Sequence, residues 1–509
     1  MNANDATTAA KPEPLLHKFL LALAFAGYLA VVTIGVSVHE PWWDEAQAWL
    51  LARDAPISEL LSHDLAYEGH PPLWYLILAI PAKLRLPYQS LHIVSALCGI
   101  VGVVLLLRLR QVPIAARVLL PFTFYFAYQY TVVAREYVLI PPLLFLILAL
   151  YGSRDRKVIP FALLLVALSD VSLYGLSLAG GFVLLILIDL GRGRLRKTNI
   201  TPWKAAIAAT LLVLNTIGVV VMLWLPADLS SRGGINHSFN PTLFVQIAWR
   251  VLAENLLGGS DHAISGLAAN VMAAVLVLWF FRRGVVLEFA VLFTVLLPIA
   301  ALYFSPWHEG VFFLAMVFTA LLALSQRRAR QKGDEVAYVI MAVTVAMHCS
   351  WTFRSLAYDV RSNFTGSHDA ARYIAAHNID KARLFGAGVW SMEVEPYFDH
   401  NVFVNYHNGQ PPSFWDWSDA NRWPSGPRAA PGAMRIWMEA QLAAKPDFML
   451  VSSGDRADAP YDRVLRAHPE YRLRKRFCGA LLWKEKSVMQ DFDFDLYERV
   501  PATRKQKGP

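Results

Sequence analysis

Eleven apolar stretches separated by short charged loops occupy the first 350 residues, and nothing else in the sequence limits the fold so severely. They lie at 19–38, 90–107, 113–131, 136–151, 158–170, 172–190, 203–225, 264–281, 285–304, 308–325 and 336–353. Lipid offers no partners to a bare backbone, so such stretches must be helices that satisfy their own hydrogen bonds. A hydrocarbon core of ~30 Å takes ~20 residues at ~1.5 Å each. The fold expected is therefore an α-helical polytopic membrane protein. With 56% hydrophobic and 17% charged residues, against ~25% charged in soluble proteins, the composition agrees.

Two stretches need a decision. The first follows Lys11 and Lys18, is longer than a signal-peptide core of ~7–15 residues and has no small-x-small cleavage site, so it reads as a retained helix. Residues 71–88 are interrupted by Pro71, Pro72, Pro81 and Pro87 and end on Lys83 and Arg85, so they read as an interfacial or re-entrant helix. Charge tests both choices, because Lys and Arg gather on cytoplasmic loops. One side receives Arg108, Arg110 and Arg117, then Arg154, Arg156 and Lys157, then the 192–197 cluster, then Arg282 and Arg283, then the 327–332 cluster. The other side receives almost none. The alternation predicts residues 1–18 as a cytoplasmic tail, 19–354 as the membrane domain and 39–89 as its first outer loop, in an inner or plasma membrane. The net charge of +8 is spent on these loops, so nucleic acid is not an expected partner. Cys98, Cys349 and Cys478 match no disulfide or metal spacing.

After residue 354 charge thickens, and short helical and strand-like runs alternate. Helices are expected near 367–378, 431–443 and 461–467, and strands at 383–386, 402–405, 448–452, 471–477 and 480–484. This predicts a periplasmic α/β domain over 355–490 with a parallel sheet, a hairpin around Cys478-Gly479 and a C-terminal tail at 491–509. The tryptophans of Ser413-Phe414-Trp415-Asp416-Trp417-Ser418 and Trp423 suit docking of a loop or domain.

On the outer side this topology collects Trp42-Trp43-Asp44-Glu45, Glu68-Gly69-His70-Pro71-Pro72, Ala134-Arg135-Glu136-Tyr137, a loop at about 226–263 with Arg232, His237, Arg250, Asp261 and His262, and Trp307-His308-Glu309. A carboxylate can take the proton of an attacking hydroxyl or amine, and cations can hold a phosphate that leaves. Adjacent side chains diverge by ~100° on a helix, so Asp44 is the expected base and Glu45, the second catalytic candidate, is its supporting or structural partner. Arg135, His70, His308, Arg232 and Arg250 are candidate phosphate ligands. Trp43, Glu68, Tyr137, Asp170 and Tyr174 are candidate cavity residues.

The order of these parts resembles the polyprenol-phosphate-sugar glycosyltransferases of GT-C fold, in the protein mannosyltransferase and aminoarabinose transferase superfamily (glycosyltransferase family 39-like). The resemblance rests on Asp44-Glu45, on His70-Pro71-Pro72-Leu73-Trp74-Tyr75 and on Ala134-Arg135-Glu136-Tyr137-Val138-Leu139, and covers about residues 15–350. It implies a polyprenyl-phosphate-linked sugar as donor, a glycan, lipid or protein acceptor on the outer face, inversion at the sugar, Asp44 as the catalytic carboxylate and Arg135 on the phosphate. His70 stands where some relatives carry lysine, so charge there depends on pH.

Simpler readings stand beside these. Asp44 and Glu45 also suit a helix N-terminus, Arg135 an arginine reaching the interface, and Arg232 and Arg250 a solvated loop. Glu68, His70, His237 and His262 are ligand types without metal spacing, so no cofactor is expected outright and a divalent metal stays open. The competing function is a transporter or flippase for a lipid-linked or glycan substrate. Against it, no internal repeat is visible and the polar residues sit at helix ends. A glycan polymerase or ligase is disfavoured by the acidic first loop.

Overall fold

A computed structural model of the chain describes residues 13–195, 200–229, 241–259, 262–326, 331–418, 432–452, 461–484 and 488–500. Among the described residues, seven helices are long and apolar enough to cross a membrane: Leu15–Val38, Ser90–Arg108, Leu173–Gly191, Pro202–Met222, Ala263–Arg283, Pro306–Ser325 and Asp334–Asp359. The other expected spans are shorter or broken. Residues 113–131 divide into a helix at Ile114–Leu119, a 3-10 turn at Leu120–Phe122 and a wide π-helical segment at Tyr125–Val132. The run at 285–304 divides into Val286–Thr294 and Leu296–Leu302, because Pro298 cannot donate to the carbonyl of Thr294. Val158–Ser169, at 12 residues, reaches only ~18 Å.

Leu73–Lys83, with Pro81 inside it, is shorter still and packs against Trp43–Asp54. The apolar run at 158–190 folds back on itself as two helices. Ser172 caps Leu173–Gly191 by accepting from the Gly175 N–H (3.0 Å), and Arg154, before the first helix, meets Asp189 at the end of the second.

The helices have a chemical polarity. Leu15–Val38 starts beside Arg117, paired to Glu13, and ends at His39 beside Glu45. Ser90–Arg108 runs the other way, from His92 beside Glu45 to the Leu107 carbonyl that takes Arg117. The Glu45 end and the arginine-rich end are thus opposite ends of the bundle. Between Ala263–Arg283, Glu309–Ser325 and Asp334–Asp359 lies an apolar cavity of about 450 Å³, lined by Leu276, Phe313, Met316, Met341 and their neighbours.

The C-terminal part corrects several expectations. Its strands are β1 (Leu384–Ala387), β2 (Phe448–Ser452), β3 (Tyr471–Phe477), β4 (Ala480–Leu482), β5 (Val488–Asp491) and β6 (Phe494–Arg499). The main sheet has the order β1-β2-β6-β3, parallel only between β1 and β2. It is mixed because β6, placed in the tail at 491–509 from sequence, inserts between β2 and β3 and buries Phe494 and Leu496.

No hairpin forms around Cys478-Gly479. β3 pairs with β6 while β4 pairs with β5, and the Gly479 N–H donates instead to Asp493 (3.1 Å). Residues 402–405 make no strand either. The Val404 N–H bonds Leu384, but the Asn405 side chain takes the place of a ladder by bonding both the N–H and the carbonyl of Gly386. This part packs on the Glu45 end of the bundle, with Phe492 against Trp42 and Trp483 against Phe124.

Candidate functional site

The helix Trp43–Asp54 begins in an extended Trp42 and turns two adjacent carboxylates in different directions. Successive helical residues diverge by ~100°. Asp44 keeps a quarter of its side chain exposed, whereas that of Glu45 is wholly enclosed.

Asp44 pairs with Arg135, 91 residues away, which the π-helical segment delivers after Val132. Arg135 also binds both oxygens of Glu136 (3.0 and 3.3 Å), and the Oε1 that accepts the longer of these bonds lies 3.5 Å from His70 Nδ1. Three of the five guanidinium N–H donors are thereby used and two are left over. Burial raises the Asp44 carboxyl above its usual range; Arg135 opposes this and Glu136 adds to it. Burial likewise lowers His70, with Glu136 opposing.

The Arg135 guanidinium lies 5.7 Å over the Tyr137 ring, which stacks on Tyr130. The Tyr137 hydroxyl is buried with no hydrogen-bond partner among the described residues, an uncommon state for a native polar group. His308 is buried, and its Nδ1 accepts from the Ser305 N–H (2.9 Å). Its ring packs against Tyr137, Tyr174 and Tyr303 and forms part of an aromatic wall. The Tyr174 hydroxyl is occupied by the Tyr303 carbonyl (2.8 Å).

The wall opposite comes from the C-terminal part. Trp43 meets Trp390 and Trp417 edge to face. Gln47 forms a two-way clamp with the backbone of Trp415, each bond 2.9 Å. Glu68 accepts from Gln47 (2.7 Å) and from the Trp417 indole (3.1 Å), and burial pushes its carboxyl up to about 7. The tryptophans expected to dock do so onto the first loop. Trp423 lies outside the described residues.

Other candidates sit elsewhere. Asp170 accepts from Asn215 (3.0 Å), and its carbonyl accepts from the Leu73 N–H (3.1 Å), which anchors the helix after His70-Pro71-Pro72. Arg250, in the helix Pro241–Leu256, faces Glu309 (3.3 Å), which Lys484 also binds (2.9 Å). That guanidinium belongs to an interdomain ion cluster with Glu254, not to the Asp44 group. Arg232, His237 and Asp261 lie outside the described residues.

Glu45 occupies a separate, closed cluster. Its oxygens accept from the N–H groups of Trp42 (3.1 Å) and Ala134 (2.6 Å) and face His39 Nε2 (3.3 Å) and His92 Nε2 (3.5 Å). Asp359 takes His39 Nδ1 (3.2 Å) and the Tyr128 hydroxyl (2.6 Å). Burial disfavours charge on His39, yet Glu45 and Asp359 outweigh it and hold the imidazole up at about 10. Burial pushes Glu45 the other way, but His39 and then His92 keep it well below the usual carboxylate range. Glu45 therefore ties the first loop to Ala134 and to His39. Sequence reasoning missed Glu136, Tyr303, His39, His92 and Asp359; only Glu136 had a signal, its place beside Arg135.

No protein-family model matches this chain, and neither does any curated protein sequence.

Proposed function

We propose that the chain is a membrane glycosyltransferase that moves a sugar, with inversion, from a polyprenyl-phosphate carrier to a glycan, lipid or protein acceptor at the outer face of the membrane. The observation that carries this reading is the meeting of Asp44 with Arg135, Glu136 and His70 at the end of the bundle away from the basic loops. Asp44 accepts the proton of the acceptor hydroxyl or amine. The acceptor atom bonds to the anomeric carbon as the bond from that carbon to the phosphate oxygen breaks, and the phosphate leaves with both electrons. The two spare N–H groups of Arg135 stabilise it. The aromatic walls of Trp43 and Tyr137 suit a sugar face.

The test uses purified protein in lipid vesicles with a synthetic polyprenyl-phosphate-linked sugar and a mixture of envelope-derived acceptors. Acceptor-dependent release of polyprenyl phosphate is expected. Movement of intact carrier between leaflets, with no bond cleavage, would replace this reading by a flippase.

A further inference from the structure

His39, Glu45 and His92 come from three segments: the residue that ends Leu15–Val38, the first turn of Trp43–Asp54 and the first turn of Ser90–Arg108. One ligand atom of each lies within 4.8 Å of the others, and all three residues are buried. The Glu45 oxygens sit 3.3 Å from His39 Nε2 and 3.5 Å from His92 Nε2. Those separations are long for hydrogen bonds, which cluster at ~2.7–3.2 Å. The two histidines approach different oxygens of Glu45, and the three ligand atoms, all within 4.8 Å of one another, need draw in only slightly to reach the ~3.3–3.4 Å edge of a tetrahedron built on bonds of ~2.0–2.1 Å.

Two further observations point to a ligand. His92 Nε2, on a side chain more than nine-tenths buried, has no hydrogen-bond partner among the described residues and faces Glu45. His39 turns its other nitrogen to Asp359 (3.2 Å), which is the carboxylate-to-histidine contact that fixes tautomer and ring orientation when imidazole binds a metal. Charge also argues for a cation. Glu45 and Asp359 are both enclosed carboxylates, and one imidazolium offsets only one of them. A divalent ion with two neutral imidazoles offsets both.

We propose that His39, Glu45 and His92 bind a divalent cation of the zinc class as a fixed clamp behind Asp44. Two imidazoles and a carboxylate suit zinc, and three protein ligands leave one place for a water. The ion ties the first helix, the first loop and the helix Ser90–Arg108 together, and through His39 reaches Asp359 on the last membrane helix. It acts as a positioning element: it holds the turn that aims Asp44 at Arg135, and it is independent of what Asp44 does there.

The full chain, purified in detergent through a tag free of histidine, is stripped with chelator and titrated with Zn2+, then with Co2+ in its place. One tightly held equivalent per chain is expected, with visible absorption bands of low-symmetry cobalt. His92→Gln, which leaves the His39 ion pairs intact and removes a direct ligand, is expected to weaken metal binding by more than the ~10–100-fold that losing even an outer-shell partner costs. Chelation is expected to lower the melting temperature of the wild type but not of His92→Gln. If His92→Gln does not fold, the wild-type cobalt spectrum and stoichiometry decide alone. Failure to take up an equivalent, or equal uptake by wild type and His92→Gln, overturns the proposal; equal uptake means an adventitious ion only.

Discussion

Asp44 and Glu45 are neighbours in sequence and have opposite surroundings. Asp44 opens onto a partly exposed cluster in which one arginine is shared between two carboxylates, and a buried tyrosine hydroxyl waits without a partner. Glu45 is closed off, with two backbone N–H groups and two histidines spending its oxygens. A single ~100° step along the helix separates a partly exposed carboxylate that shares Arg135 from an enclosed one that holds the loop in place. Chemistry needs an incompletely satisfied carboxylate, and architecture needs a satisfied one.

This contrast is broken most severely at Glu45. Glu45→Ala strands His39 and two backbone donors inside the fold and is expected to cost about 3–5 kcal/mol, read as a large fall in melting temperature or failure to accumulate in the membrane. Lys484→Met removes the ammonium that holds Glu309 against the C-terminal part. Arg250 remains on Glu309, so the loss should fall at the lower end of that range, about 3 kcal/mol, again by melting.

A pH series sharpens the comparison between the first loop and the part that covers it. Burial pushes Glu393 and Glu395 up to about 8, so the folded state keeps protons that the unfolded chain releases near ~4.3. Their stabilising effect is full below that lower value and is lost as pH rises through about 8. Melting temperature is expected to fall from pH 5 to pH 9, and Glu393→Gln, which fixes the neutral form, should flatten the fall. The smallest effect belongs to Tyr137. Tyr137→Phe removes an unpartnered hydroxyl, so stability should change by no more than about 1 kcal/mol, while turnover drops by up to about tenfold if the hydroxyl meets the donor.

Much of this was legible in the sequence. The apolar runs announced the long helices, and the Asp44-Glu45, His70-Pro71-Pro72 and Ala134-Arg135 motifs marked segments that the fold brings together. The ~100° divergence on a helix already set Asp44 apart from Glu45, but what surrounds Glu45 was hidden, because His92 begins a helix read only as apolar and Asp359 lies beyond the last expected span. His308 and Arg250 are phosphate-ligand types; in the fold His308 packs among Tyr137, Tyr174 and Tyr303, and Arg250 pairs with Glu309, contacts that no local pattern reports. The sheet failed for a related reason. β6 pairs with strands earlier in the chain, and no local pattern reports such pairing.

The most direct test of the account is the turnover of a polyprenyl-phosphate-linked sugar by Asp44→Asn beside the wild type, with both proteins matched for melting temperature. Asn keeps the size and loses the proton acceptor, so turnover is expected to fall by about 10²–10⁴-fold with the fold intact. Full turnover by a correctly folded Asp44→Asn would contradict the account and leave the acidic loop a purely structural element.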